Sequence, residues 1–293
     1  MKTKMIKIII NPVAGQGRTQ ALWQGIESQI KKLGVAYSPI FTQGVGDATK
    51  LAKSAAAEGI KKIFAVGGDG TFNEVINGID LNQITVGVIP TGSGNDLGKM
   101  IGIRKISDGL LSLAHQNRRR IDLGKTQDRL FANNLGVGFD AHVAANQKRF
   151  KKFKGSFGYV LSTLRVLWDF KATLVEVMID EHRFFEKIIS FSIGNGKFHG
   201  GCFKLTPDAH IHDGFLDVCI IKELSKAKLI CNIPRAIRGT HKRLKEVKLF
   251  RARKISLSSQ IPLFMHLDGE PLSEPIQKVE VEILPSSLEV FVP

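Results

Sequence analysis

Residues Val66-Gly67-Gly68-Asp69-Gly70-Thr71-Phe72-Asn73-Glu74 directly follow the apolar run Ile63-Phe64-Ala65. Such a run reads as a buried strand, and glycines at its end let the backbone come close to a ligand. A helix starting near Thr71 and continuing to residue 79 would present free N–H groups to an anion. The segment therefore reads as a phosphate-binding turn, and the acid inside it, Asp69, points to a metal ion between carboxylate and phosphate. The alternative is an ordinary strand-to-helix turn that uses Asp-Gly for its geometry alone.

The surrounding pattern predicts where that turn sits. Apolar runs at 6–10, 35–41, 60–66 and 86–89 alternate with helical spacing at 19–33, 47–57, 72–79 and 106–114, with Asp47 and Ser107 as N-caps. Repeated units of this kind predict an α/β domain over residues 1–124, a parallel sheet covered by helices, with ligand loops after the carboxyl ends of its strands. Three glycine-rich loops follow strands, Asn11 through Gly17, the Gly67 turn, and Pro90 through Asp96, so all three should converge on one edge. Strand patterns then dominate at 173–180, 183–193, 215–221, 247–257 and 279–283, interrupted by helices at about 141–170 and 226–239. The expectation is a β-rich, antiparallel, sandwich-like domain over 125–285, with a C-terminal strand at 286–293 joining the first domain. No flexible linker separates the two, so they are expected to share a cleft.

Composition narrows the partners. A formal charge of +15 implies anionic ones. Basic clusters lie at 118–120, 148–154 and 235–254, and the middle one leads into an aromatic stretch, 155–168, that suits the surface of an anionic bilayer. No uncharged apolar run approaches the roughly 18 residues of a membrane span. The N-terminus reads as a first strand and not as a secretory leader. Cys202, Cys219 and Cys231 lack CxxC spacing, so neither zinc nor disulfides are expected, and a cytoplasmic location with reversible membrane attachment fits. His210 and His212 lack a third ligand for zinc, and His115, His142 and His241 read as surface residues. Gly124-Lys125-Thr126 is no Walker loop, because Arg119 occupies the position of its first glycine. No recognition module for nucleic acid is present.

Two Asp-Gly elements complete the pattern, one in Asp213-Gly214-Phe215-Leu216-Asp217 and one in Asp268-Gly269-Glu270-Pro271. Either alone is a hairpin signal. Together with Val66 through Glu74, Pro90 through Asp96 and Leu135-Gly136-Val137-Gly138-Phe139-Asp140-Ala141, their order and spacing resemble the bacterial diacylglycerol kinase family, the soluble branch that includes sphingosine and ceramide kinases. The Gly67 turn alone is shared with NAD kinases, so the later elements carry the specificity. Gly94 departs from the family's usual Gly-Thr-Asn-Asp loop, while Ser93 keeps the hydroxyl.

The resemblance implies an ATP- and Mg2+-dependent lipid kinase, most simply one converting diacylglycerol to phosphatidic acid. Its nucleotide site would comprise Asn11, Pro12, Val13, Ala14, Gly15, Thr42, Gly67, Gly68, Asp69, Gly70, Thr71, Phe72, Asn73, Ser93, Asn95 and Asp96. Asp69, Asp96 and Asp122 would form the acidic network that holds water and magnesium around the triphosphate. A structural magnesium would be held by Asp213 and the carbonyls of His210 and Phe215. Asp268 and Glu270 are the candidates for the base on the acceptor hydroxyl. In an extended segment residues two apart share a side, so both are expected to face the γ-phosphate across the cleft. An NAD-kinase-like enzyme and a kinase of phosphatidylglycerol, a polyprenol or a sphingoid base stay open, as does a homodimer. A nucleic-acid-binding protein is the more distant reading.

Overall fold

The computed structural model describes residues 5–127, 129–146 and 170–293. The chain divides into two compact units, one of residues Met1–Asp122 with Ser286–Pro293 and one of Leu123–Pro285. The basic cluster at 148–154, the aromatic stretch at 155–168 and most of the helix expected at 141–170 lie outside the described residues. No described helix is long and apolar enough to cross a membrane.

The first unit is the expected α/β layer. Parallel strands β1 (Ile6–Ile10), β2 (Tyr37–Phe41), β3 (Lys62–Gly67) and β4 (Thr85–Pro90) stand in the order β4-β3-β1-β2. Helices α1 (Arg18–Lys32), α2 (Asp47–Ala57), α3 (Asp69–Ile76), α4 (Asp96–Met100) and α5 (Ile106–His115) connect them or follow them. Ile8, Ile10, Phe64 and Val66 of the strands pack with Trp23, Ile26 and Ile30 of α1 in one buried cluster. The chain leaves this unit through β5 (Asn117–Thr126) and returns along β15 (Ile276–Val292), whose Val290 pairs in parallel with Val86 of β4. Phe291 then stacks on Phe64 with ring centroids 5.0 Å apart. Asp122 closes the crossing, its Oδ1 accepting from the Ser286 amide at 2.7 Å.

Three helices differ in their bounds or caps from expectation. Gly46 and not Asp47 is the N-cap of α2, and the Glu74 carboxylate accepts from the amides of Gly46 (2.9 Å) and Ala48 (3.0 Å). Lys105 and not Ser107 caps α5, while Asp108 reaches back to the amides of Arg104 and Lys105. Helix α3 begins at Asp69 and stops at Ile76, two residues before Gly78, where a Cβ would meet the Thr49 carbonyl at 2.3 Å.

The second unit is antiparallel and β-rich. Its strands β6 (Arg129–Phe131), β7 (Asn134–Gly138), β8 (Thr173–Ile179), β9 (His182–Gly194), β10 (Leu216–Lys222), β11 (Val247–Ala252), β12 (Lys254–Leu263), β13 (Met265–Leu267) and β14 (Glu270–Pro271) are joined by α6 (Phe139–Asn146) and α7 (Lys226–Arg238). The run expected as one strand at 247–257 is two, broken at Arg253, where Asp180 Oδ1 accepts from the Arg253 and Lys254 amides. Pairing of β7 with β9 and β13 sets Leu135, Ile193 and Leu267 in one row, inside the apolar core. The adjacent row, Gly136, Ser192 and His266, points to the opposite face. That face is lined by small and polar side chains, and it carries the groups discussed below.

Gly87 of β4 leaves the space that the Phe64 ring fills, since a Cβ there would stand 2.3 Å from it. Gly87→Ala is therefore expected to lower stability by about 1–3 kcal/mol through overpacking. Denaturant unfolding checks this, and an unchanged midpoint would contradict it.

Candidate active site

The three glycine-rich loops of the first unit meet. The Gly67 carbonyl accepts from the amides of Thr91 (2.9 Å) and Gly92 (3.1 Å), and a Cβ on Gly92 would lie 2.4 Å from Gly68 Cα. Only glycines permit so close an approach of two chains. Asn11 Nδ2 donates to Thr71 Oγ1 at 3.1 Å, and the hydroxyls of Thr19 and Thr91 lie 2.6 Å apart. Gly15 rests against the Thr91 carbonyl, where a Cβ would come to 2.3 Å. The Thr42 amide donates to the Ile10 carbonyl at 2.9 Å, which sets Thr42 beside Asn11. Pro12, Val13 and Ala14 form the turn between β1 and α1, and Val13 and Ser93 are exposed. Phe72 and Asn73 are buried in α3, Phe72 as part of its apolar packing.

The acids of this cluster hold backbone. Asp69 Oδ2 accepts from the Asp96 amide (3.0 Å) and Oδ1 from the Leu97 amide (3.1 Å), so Asp69 caps α4 across the loop. Buried Asp96 pairs with Lys99 at 2.9 Å. Asn95, in the left-handed region at φ 51°, donates Nδ2 to the Gly92 carbonyl at 2.8 Å. Asp69, Asp96 and Asp122 offer carboxylate oxygens, the hard ligands that magnesium takes, but they do not converge into a direct three-ligand cluster among the described residues, so they suit contacts to that ion through water.

In the second unit the Asp268-Gly269 turn joins β13 to β14 as a hairpin, with Leu267 paired to Glu270 and φ values of 49° and 83°. Both values are positive, as a type I′ turn requires. The segment is therefore not extended at Asp268, and the expected projection of Asp268 and Glu270 to one side does not hold. Asp268 is buried, its Oδ1 accepting from the amides of Asn133 (2.8 Å) and Asn134 (2.9 Å) and its Oδ2 from that of Ala132 (2.9 Å). Glu270 is exposed.

Asp213 sits in a turn whose Phe215 amide donates to its Oδ1 at 3.1 Å, while Oδ2 is ion-paired with Arg251. The guanidinium of Arg251 also lies 4.7 Å from the centre of the Phe215 ring. A cation already neutralises this carboxylate, so Asp213, His210 and Phe215 do not fit a structural magnesium while that pair stands. Lys242 and Lys248, from the same basic cluster as Arg251, are paired with Asp208 and Glu186.

Several buried polar groups of this unit were not singled out from the sequence. Asp140, in α6, accepts from Ser192 Oγ at 2.8 Å and stands 3.8 Å from His266 Nε2. His199 meets Thr206 at 2.9 Å, and burial pushes its pKa down to about 3. His241, expected at the surface, is buried against the Leu205 carbonyl (3.1 Å) and Cys219 Sγ (3.6 Å), and burial lowers its pKa too. His142 is half-buried, its ring 4.3 Å from that of Phe264. Asp140 and Asp217 both fall inside motifs already quoted, which is the one signal that could have found them.

Residues 5–126 match the diacylglycerol kinase catalytic domain, and residues 133–292 match the YegS C-terminal NAD kinase beta sandwich-like domain. The chain is 30% identical over 271 residues to a protein named diacylglycerol kinase from Staphylococcus saprophyticus, covering 91% of this chain and 89% of that one. It belongs to the diacylglycerol kinase family. A diacylglycerol kinase from Bacillus subtilis strain 168 is likewise 30% identical, with 91% of this chain and 90% of the relative covered. A crystal structure of a diacylglycerol kinase from Bacillus anthracis str. Sterne shares the fold, with a TM-score of 0.80, 24% identity, and coverage of 100% of this chain and 98% of that one. As a member of the diacylglycerol kinase family, the chain is a kinase that transfers a phosphoryl group to an alcohol.

Asp217 follows the Asp213 turn, and burial pushes its carboxyl up to about 6. Its Oδ2 has no hydrogen-bond partner among the described residues. The folded chain thus holds this proton more tightly than the unfolded one, so Asp217 costs stability above about pH 6 and the cost fades toward roughly pH 4. Asp217→Asn is expected to raise the melting temperature near neutral pH and to approach the parent below about pH 3.8. An equal difference at both pH values would refute this.

Proposed function

We propose that the chain is an ATP- and magnesium-dependent kinase whose acceptor is a lipid hydroxyl, with diacylglycerol as substrate and phosphatidic acid as product. The observation that carries this reading is an apolar cavity of about 90 Å³ inside the second unit. Phe139, Ile189, Phe203, Leu205, Ile221 and Leu224 are among the residues on its walls. Helix α7 covers it with Leu229, Asn232, Ile233 and Ala236, spaced for one helix face, yet no residue of α7 is fully buried. A helix that turns its apolar stripe toward empty space suits a hydrocarbon chain as the missing partner. An NAD-like acceptor would need cationic partners for its phosphates, and this wall carries no lysine or arginine among the described residues.

The exposed side of α7 carries Lys226, Arg235 and Arg238 beside the apolar Ile230 and Ile237. That mixture favours reversible attachment to an anionic bilayer, where the acceptor resides.

The Gly67, Thr91 and Asn11 loops bind the triphosphate through backbone amides and hydroxyls. Bound magnesium would neutralise charge on the phosphate oxygens, held through water by Asp69, Asp96 and Asp122. Glu270 takes the proton of the acceptor hydroxyl as that oxygen attacks the γ-phosphorus, and ADP leaves. Asp268 supports it by fixing the turn to the backbone of residues 132–134.

Glu270→Gln is expected to lower kcat by roughly 10²–10⁴-fold with an unchanged KM for ATP and an unchanged melting temperature. Asp268→Asn sets an amide N–H against buried N–H donors and should instead cost about 1–3 kcal/mol of stability. Steady-state kinetics beside thermal unfolding separate the two roles, and full activity in Glu270→Gln would reject Glu270 as base.

The acceptor is tested with labelled ATP and a panel of diacylglycerol, phosphatidylglycerol, a polyprenol, a sphingoid base and NAD, in vesicles with and without anionic lipid. Phosphatidic acid should form, and faster on anionic vesicles. Ala236→Trp, which fills the cavity, should raise the KM for diacylglycerol roughly tenfold and spare that for ATP. NADP formation without a lipid product would overturn the reading.

A further inference from the structure

The row Gly136, Ser192 and His266 belongs to the polar face of the second unit, and Asp140 lies over it. His266 is 5% exposed and Asp140 8%, so both sit where an unmatched charge would be expensive. The Gly269 amide donates to His266 Nδ1 at 3.3 Å. A ring nitrogen that accepts has no proton, so in the neutral ring the proton is on Nε2. Nε2 faces Asp140 Oδ2 at 3.8 Å, an oxygen that Ser192 Oγ also reaches at 2.8 Å. The second carboxylate oxygen accepts from the Ala141 amide at 2.9 Å, which fixes the plane of the group.

Gly136 marks the arrangement as built. A Cβ on it would stand 2.2 Å from Asp140 Oδ2 and 2.4 Å from His266 Nε2, so any larger residue would push between the two side chains. Asp140 also lines the apolar cavity, with Ser190 and His241 among its polar residues. A single line of contacts thus runs from the cavity, through Asp140 and His266, to the amide of Gly269, the residue before Glu270.

We propose that Asp140 and His266 form a positioning pair that holds the Asp268-Gly269-Glu270 turn in its working shape and ties it to the end of the acyl cavity. This rests on the reading of Glu270 as base given above. Asp268 fixes one residue of the turn, and the pair fixes the next. The distance of 3.8 Å exceeds a direct hydrogen bond, so the pair acts on the turn by orienting the His266 ring. Neither residue touches the reacting atoms.

The test uses the full chain with ATP, magnesium and dispersed diacylglycerol, and compares Asp140→Asn, His266→Gln, the double variant and Glu270→Gln. Each single change should lower kcat roughly 10–100-fold, the loss expected of a misplaced catalytic group. The KM for ATP should stay within about twofold, and the double variant should be no slower than the slower single, because the two act as one unit. If either single change abolishes cooperative unfolding, Gly136→Ala takes its place under the same kcat criterion. Normal kcat in both singles beside an inactive Glu270→Gln overturns the pair alone, as do losses that multiply in the double variant. Normal kcat in Glu270→Gln overturns the reading of the turn and the pair with it.

Discussion

Helix α3 holds the first unit's ligand edge together with two carboxylates. Asp69 at its first position accepts the amides that open α4, and Glu74 accepts those that open α2. A helix start carries unsatisfied N–H groups and a partial positive charge, so a carboxylate there is both a hydrogen-bond partner and an electrostatic one. The loops between these helices therefore inherit their positions from α3. Gly68 and Gly92, in the loops these helices follow, approach so closely that Gly92 has no room for a Cβ. Asp69 has two duties in consequence. A residue that orders the phosphate loop structurally is also one of those proposed to act on magnesium, and the two roles cannot be altered separately by removing the side chain.

The same device recurs in the second unit. Asp268 occupies a left-handed turn position and satisfies three backbone amides from residues 132–134. Asp180 does so at the break between β11 and β12. Acids that a motif-level reading assigns to chemistry are thus partly consumed by architecture. Once Asp268 is committed to its amides, the exposed carboxylate of its turn is Glu270. That asymmetry separates two residues which the sequence left equivalent.

The fold was legible wherever its cause is local. Parallel strands, the glycine-rich loops after them and the Asp268-Gly269 hairpin each announce themselves within a few residues, through apolar runs and positive-φ preferences. What escaped were features whose partner is remote. Glu74 caps a helix that starts 28 residues earlier, and Asp268 reaches amides 134–136 residues away. His241 read as a surface residue because nothing near it in the chain reveals Cys219 or the Leu205 carbonyl. The helix start assigned to Asp47 failed for the same reason, while at Ser107 the neighbouring Asp108 took the role, since residue type suggests a cap but cannot tell which carboxylate fills it. Nor could the sequence reveal that Asp213, expected to hold a metal, is paired with Arg251, a residue 38 positions away.

Helix α7 joins stability to the proposed function. Pro234 lies inside it, so one backbone hydrogen bond is missing and the turn before it is weakened. Its ends are well made, with the Ser225 hydroxyl accepting from the Lys228 amide and Gly239 in the left-handed region at φ 75°. The helix is therefore held at its termini and by the stripe facing the cavity, with little buried surface of its own. Local opening costs least in elements with few buried apolar contacts, which places α7 among the first segments to open. An acyl chain in the cavity would add the contacts the stripe lacks and shift that equilibrium toward the closed helix. Access for a lipid and order of the helix are then two sides of one balance. A cavity packed shut would stabilise α7 and remove the apolar space beside Asp140 that its stripe faces.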